Sequence, residues 1–190
     1  MNDQQKFWKG LVAGAAGGLI ASVVMNEFQS AWGRAAEGVD RSHGAQSLQQ
    51  GSPNHGIGRE LEKKGSDEEQ DDAAMRLANA ISQVVLDREL SGREKHRAGT
   101  AVHYAFGVSS GLAYGAAAEV MPQVTVGAGM PFGAFVWIAA DEGIVPALGL
   151  SKSPTEYPLS THLYAFASHL VFGFTAEMVR RAVRRVLEDA

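Results

Sequence analysis

The sequence predicts an all-α protein, a four-transmembrane-helix bundle with a long polar loop that carries one amphipathic helix. Three observations predict it. First, four stretches hold no charged side chain: Gly10 to Asn26 (17 residues), Ala98 to Ala118 (21), Val120 to Ala140 (21) and Tyr157 to Ala176 (20). A bilayer core about 30 Å thick is crossed by roughly 20 such residues in a helix. Second, charge is segregated: of 38 charged side chains 22 lie between residues 29 and 97, and only six between 98 and 177. Third, glycine recurs at every fourth position inside three of the runs. That spacing lets helix backbones approach where lipid tails supply no hydrophobic drive for association.

Residues 1–28 read as the first transmembrane helix. Lys6 and Lys9 precede the apolar run, and no small-x-small cleavage site follows Met25, which predicts an uncleaved signal anchor. Residues 29–97 form the polar loop. Up to residue 65 it mixes Gly, Ser, Gln, Asn and charge around Pro53, so no period survives to predict an element. Ser66 with Glu69 then makes a capping box, and Met75, Ala78, Ile81 and Val85 fall on one face, predicting an amphipathic helix over 67–90. Interfacial helices are usually basic, and this one starts acidic, which favours protein over the bilayer surface as the contact of its apolar face.

Residues 98–190 read as a three-helix membrane region with a basic tail. Pro131 lacks a backbone donor and predicts a kink near Gly129 to Gly133, with Pro122 and Pro146 bracketing that span. The short connection from Glu119 to Thr125 predicts an antiparallel hairpin of the second and third spans. Packing faces are expected at Gly10, Gly14 and Gly18, at Gly107, Gly111 and Gly115, and at Gly129 and Gly133. The same faces would serve a homo-oligomer if they are not consumed within one chain. Trp8, Trp32 and Tyr157 stand near predicted borders, as an aromatic belt does.

The fragments HYAFGVSSGLAYGAAAEVMP (103–122), ADEGIVPALGL (140–150) and SHLVFGFTAEMVRRAVRR (168–185) resemble the YagU-like family of bacterial inner-membrane proteins, a domain of unknown function. The likeness covers residues 98–187 closely and 7–33 more loosely. It implies an inner-membrane location, helical spans and cytoplasmic termini. It also marks His103, Glu119, Pro146, His169, Glu177, Arg180 and Arg181 as family-pattern positions, and it brings no assigned activity. The chain departs from the pattern at Ala35, Ala36, Glu37 and Gly38, where the family has a proline-rich stretch. Asp141 stands where a His is sometimes found, and Ala165 where an acid is common.

The count of basic residues near helix ends is nearly balanced between the two sides. Lys6, Lys9, Arg180, Arg181, Arg184 and Arg185 lie on one side, against Arg34, Arg41, Arg88, Arg93, Lys95, Arg97 and Lys152 on the other. Long loops translocate with little regard to charge, so both termini are expected in the cytoplasm.

Ionisable groups at membrane depth are costly and therefore candidates for function. Glu27, His103, Asp141, Glu142 and His162 are expected in an outer layer, Glu119 and Glu177 in an inner one, and His169 between them. One reading is proton or ion handling, since His titrates near neutrality. A second is anchoring, with Glu119 and Glu177 paired to Arg180 or Arg181, in a structural or interaction protein whose loop 29–97 docks a partner. A third is a metal held by Glu27, His103, Asp141 and Glu142, a donor set that suits Zn or Fe.

The exclusions are firmer. Without Cys there is no disulfide or thiolate site. Net charge −4 and a pI near 5.9 give no electrostatic case for nucleic acid. There is no G-x-S-x-G nucleophile elbow and no G-x-x-x-x-G-K phosphate loop. The sequence leans away from an enzyme, assigns no catalytic residue or cofactor, and names the lipid bilayer as the first partner.

Overall fold

The computed structural model describes residues 2–36 and 71–189. The expected Ser66–Glu69 capping box and most of the polar loop lie outside the described residues. Everything described is helix, turn or connection: α1 (Asp3–Ala36), α2 (Ala73–Leu86), α3 (Gly92–Val120), α4 and α5 (Leu159–Asp189). α4 opens as an α-helix over Met130–Trp137, widens to a π-helix over Ile138–Ile144 and closes with Val145–Ala147. Short 3₁₀ turns sit at Pro122–Thr125 and Pro154–Glu156.

Among the described residues α1 is the one helix long and apolar enough to cross a membrane. Its uncharged run carries six Val, Leu or Ile among 17 residues, whereas His103, Ser109 and Ser110 dilute the 98–118 run and His162 and His169 the 157–176 run. The 120–140 run corrects the expectation of one kinked span. α3 ends at Val120, and Gly127, Ala128 and Gly129 all adopt positive φ (73°, 54° and 79°). Three successive left-handed residues cannot continue a right-handed helix, so α4 starts only at Met130. Pro131 therefore lies in its first turn, where a missing N–H costs nothing, and makes no mid-helix kink. Thr125 likewise gives no helical origin from which to measure the depth of Asp141.

Two compact units emerge, and α3, α4 and α5 contribute to both. The first comprises Met1–Asp40, Tyr104–Val136 and Phe166–Ala190. Its core brings Ala21 and Met25 of α1 onto Phe172 and Ala176 of α5, with Phe132 packed alongside. Phe132 also stacks on Tyr114, ring centroids 4.3 Å apart.

The glycines set the spacing of this unit. A Cβ on Gly14 would fall 2.2 Å from the Gly111 carbonyl oxygen, one on Gly18 2.1 Å from that of Gly107, and one on Gly115 2.2 Å from that of Gly10. The triples of α1 and α3 thus face each other in antiparallel register with backbones in direct contact. Gly129 and Gly133 press in the same way on Gly173 and on the His169 carbonyl of α5. These faces are consumed within the chain.

The second unit comprises Arg41–His103 and Trp137–Ala165. α2 begins at a cap the sequence reading passed over: the Asp72 carboxylate accepts from the Met75 N–H at 2.8 Å. Its buried face is a further correction. Arg76, Asn79 and Ser82 are buried beside Ala73 and Ala78, whereas Ile81 and Val85 are exposed, as are Val84 (86%) and Leu86. The Arg76 guanidinium donates to the Leu150 carbonyl at 2.9 Å, Leu90 N–H donates to Asn79 Oδ1, and the Ser82 hydroxyl donates to the Arg88 carbonyl. The polar side of α2 thus holds the connections around it.

Candidate functional site

Ionisable groups cluster in both units. In the first unit the Glu177 side chain is wholly buried (0% exposed). α5 carries Arg180 one turn on, whose Nε donates to Glu177 Oε2 at 2.7 Å and whose second nitrogen donates to Oε1 at 3.1 Å. Arg181 Nε donates to Oε1 at 2.5 Å. Glu–Arg spacings of i,i+3 and i,i+4 bring such groups together on one helix face. The left-handed turn into α4 closes the site, because Gly129 would carry a Cβ only 2.8 Å from that of Glu177. Arg180 also lies over the Tyr114 ring, 6.0 Å from its centroid.

Glu119 was expected to meet Arg180 or Arg181, and it pairs instead with Arg184, at 2.8 and 3.2 Å. That carboxylate holds the Arg184 guanidinium above its ordinary value. Lys9 reaches the Leu187 carbonyl, and Gly10 touches the Glu119 side chain. The start of α1, the end of α3 and the end of α5 therefore meet. Each acid here is matched by at least one guanidinium, so the cluster is an ionic lock.

In the second unit Glu142, on the π-helical stretch, meets His162 of α5, with Nδ1 and Oε1 2.7 Å apart. His162 Nε2 lies 3.0 Å from the Pro154 carbonyl oxygen. A carbonyl only accepts, so Nε2 carries a hydrogen. One further proton must then lie between Nδ1 and Oε1. The pair is either imidazolium with carboxylate or imidazole with carboxylic acid, and removing that proton would set two lone pairs against each other.

π-helical turns are rare and recur at functional sites. This one is shaped by Pro146, which brings no N–H, while Val145 N–H reaches back five residues to the Ala140 carbonyl. Asp141, next to Glu142, is buried.

The other candidates are more dispersed. His103 is half-buried on α3, His169 is buried on α5 against Gly133, and Glu27 is exposed on α1. Among the described residues no group of three or more His, Asp or Glu side chains is placed to hold a metal ion. Glu27, His103, Asp141 and Glu142 therefore do not assemble as the metal reading required.

Sequence reasoning also missed Lys95, which is buried with Asp71 at 3.1 Å and Glu89 at 3.7 Å. Nor did it single out Gly173, whose partners lie on a different helix. Near the start of α3, Arg88 grips Glu94 through two nitrogens, and the Ser91 N–H and hydroxyl donate to the same carboxylate. Together they hold the Glu94 carboxyl down to about 2.

Among the described residues, fold and sites define an all-helical protein with one helix long and apolar enough to cross a membrane, glycine-contact helix pairs and a buried carboxylate–guanidinium lock. Residues 77–178, more than half of the chain, match the family described as "Protein of unknown function (DUF1440)", and the chain belongs to that family. No curated protein and no solved structure matches the chain.

Proposed function

We propose that this chain is an integral membrane protein of four apolar segments whose polar interior handles protons. The observation that carries the membrane reading is its inverted polarity. Ser22, Asp141, Thr161, Ser168, His169 and Glu177 are buried. Val12, Leu19, Val23, Phe106, Phe135 (66%), Ile138, Leu163 and Phe174 are exposed. In water, exposure on that scale forfeits about 25 cal/mol for each Å² of apolar surface left uncovered. In hydrocarbon it costs nothing, and the polar groups are the ones that need shelter.

The remaining assignments follow from this reading and from the resemblance to the YagU-like inner-membrane proteins. The spans are those of residues 10–26, 98–118, 130–147 and 157–176. Both termini lie on the cytoplasmic side. The basic groups Lys9, Arg180, Arg181 and Arg184 gather where α1 begins and α5 ends, which supports that orientation.

Within the bundle the Glu177 and Glu119 locks are structural, since guanidinium partners neutralise them. The proton-handling groups are the Glu142–His162 pair, which shares one proton, and His169. The test is proton uptake by vesicles containing the purified chain and a trapped pH dye. Flux above that of empty vesicles is expected, lost in Glu142→Gln, His162→Gln and His169→Ala. Parent flux equal to that of empty vesicles, or unchanged flux in all three variants, would refute the assignment.

A further inference from the structure

We infer that α2 lies flat in the membrane interface and takes the headgroup–acyl boundary of the bilayer as its partner, an inference that rests on the membrane reading above.

Its outward surface is aliphatic. Ile81, Val84 and Val85 (71%) are exposed together on the C-terminal half of the helix, and Leu86 is exposed at its end. The opposite side is engaged by protein, through Arg76 on the Leu150 carbonyl and Asn79 and Ser82 on the connection 87–91. α2 therefore cannot roll over to hide its apolar face without breaking three polar contacts, one of them buried and two part-buried.

The level of the helix is set by its contacts with α3. Lys95 holds Asp71, just ahead of the Asp72 cap, and a Cβ on Gly99 would lie 2.7 Å from Met75 Cγ and 3.0 Å from the Met75 nitrogen. Gly99 is the second residue of the uncharged run that begins at Ala98. The start of α2 is thus pinned where α3 passes from charged to uncharged sequence, which is the boundary of the lipid.

Charge complements that position. Arg93 and Arg97 are exposed one turn apart on the first turns of α3, with His96 beside them, and among the described residues neither Arg is in an ion pair. Phosphate headgroups are their natural counter-ions. Two of the acidic residues ahead of α2 are already engaged. Asp71 is neutralised by Lys95 and Asp72 caps the helix.

Two other occupants fit less well. Residues 37–70 offer Val39, Leu48, Ile57 and Leu61 as their large aliphatic side chains, too few and too widely spaced to form a matching stripe. A protein partner would leave Arg93 and Arg97 without a stated counter-charge.

Because the chain contains no Cys, single labels can be placed at will. Val85→Cys, Asp87→Cys and Phe174→Cys, each carrying a nitroxide in proteoliposomes, are compared for collision with oxygen and with a water-soluble nickel chelate. The expected result is a lipid signature at position 174, a shallower one at 85, about 5–10 Å below the phosphates, and water exposure at 87. Lipid at 174 with water or tight protein contact at 85 overturns the interfacial helix and leaves the spans standing. Water at both positions overturns the spans as well. Val84→Cys repeats the measurement if labelling at 85 prevents reconstitution.

Discussion

Gly111→Ala is the sharpest test of how α1 and α3 are held together. The new methyl group would stand 2.3 Å from the Gly14 carbonyl oxygen and 2.7 Å from both the Gly18 nitrogen and its Cα. Ordinary contact begins at 3.4 Å, so the two backbones must part by about 1 Å. Both offending groups are main chain, and no rotamer change relieves them. Overpacking of this kind costs about 1–3 kcal/mol, and the upper half of that range applies where only rigid-body movement can relax the clash.

Alanine's better helix propensity returns at most about 1 kcal/mol, less where the unfolded state in detergent keeps its helices. A net loss of about 2 kcal/mol is therefore expected. Gly33→Ala is the control, since nothing lies within 4 Å of its new Cβ. The assay is reversible unfolding in mixed micelles, followed by tryptophan fluorescence and circular dichroism. If Gly111→Ala proves as stable as Gly33→Ala, the two triples are not in contact and the helix register is wrong.

Glu177→Leu should cost about 3–5 kcal/mol, because it strands the buried Arg180 guanidinium, and adding Arg180→Leu should restore most of that loss in the same assay; additive losses would show that the two groups do not form one buried pair. The Glu94 carboxyl, held at about 2 by Arg88 and then by Ser91, has a folded value below its ordinary 4.5. Its contribution is thus fully present above about pH 4.5 and is lost as pH falls through the interval towards 2. Carboxyl chemical shifts of labelled protein should place the midpoint near the lower end, and Glu94→Gln should remove this part of the pH dependence; a midpoint near 4.5 would contradict the Arg88 grip.

Helical segments were legible because uncharged runs and fourth-position glycines are local patterns. Gly14 and Gly18 have a chemical reason to lie on a helix-contact face wherever the partner lies. Three features were not legible. The break at Gly127, Ala128 and Gly129 sits in a run whose composition suits a membrane helix, and Ala128 takes a left-handed conformation that no propensity favours. The buried face of α2 was misjudged because an apolar stripe is assumed to turn inward, whereas here Arg76, Asn79 and Ser82 turn inward and Ile81 and Val85 do not. The Glu119–Arg184 pair spans 65 residues and depends on the end of α5 returning to the end of α3. Glu177 with Arg180 and Arg181 could be read from helix spacing alone, while its closure by Gly129 could not.

The claim beneath all of this is that the exposed aliphatic surface of α1, α3, α4 and α5 faces acyl chains. Flotation of cell membranes through a density gradient after an alkaline carbonate wash asks this directly. The chain should rise with the lipid and leave it only when detergent is added. Recovery in the wash, as a folded helical protein in plain buffer, would contradict the claim.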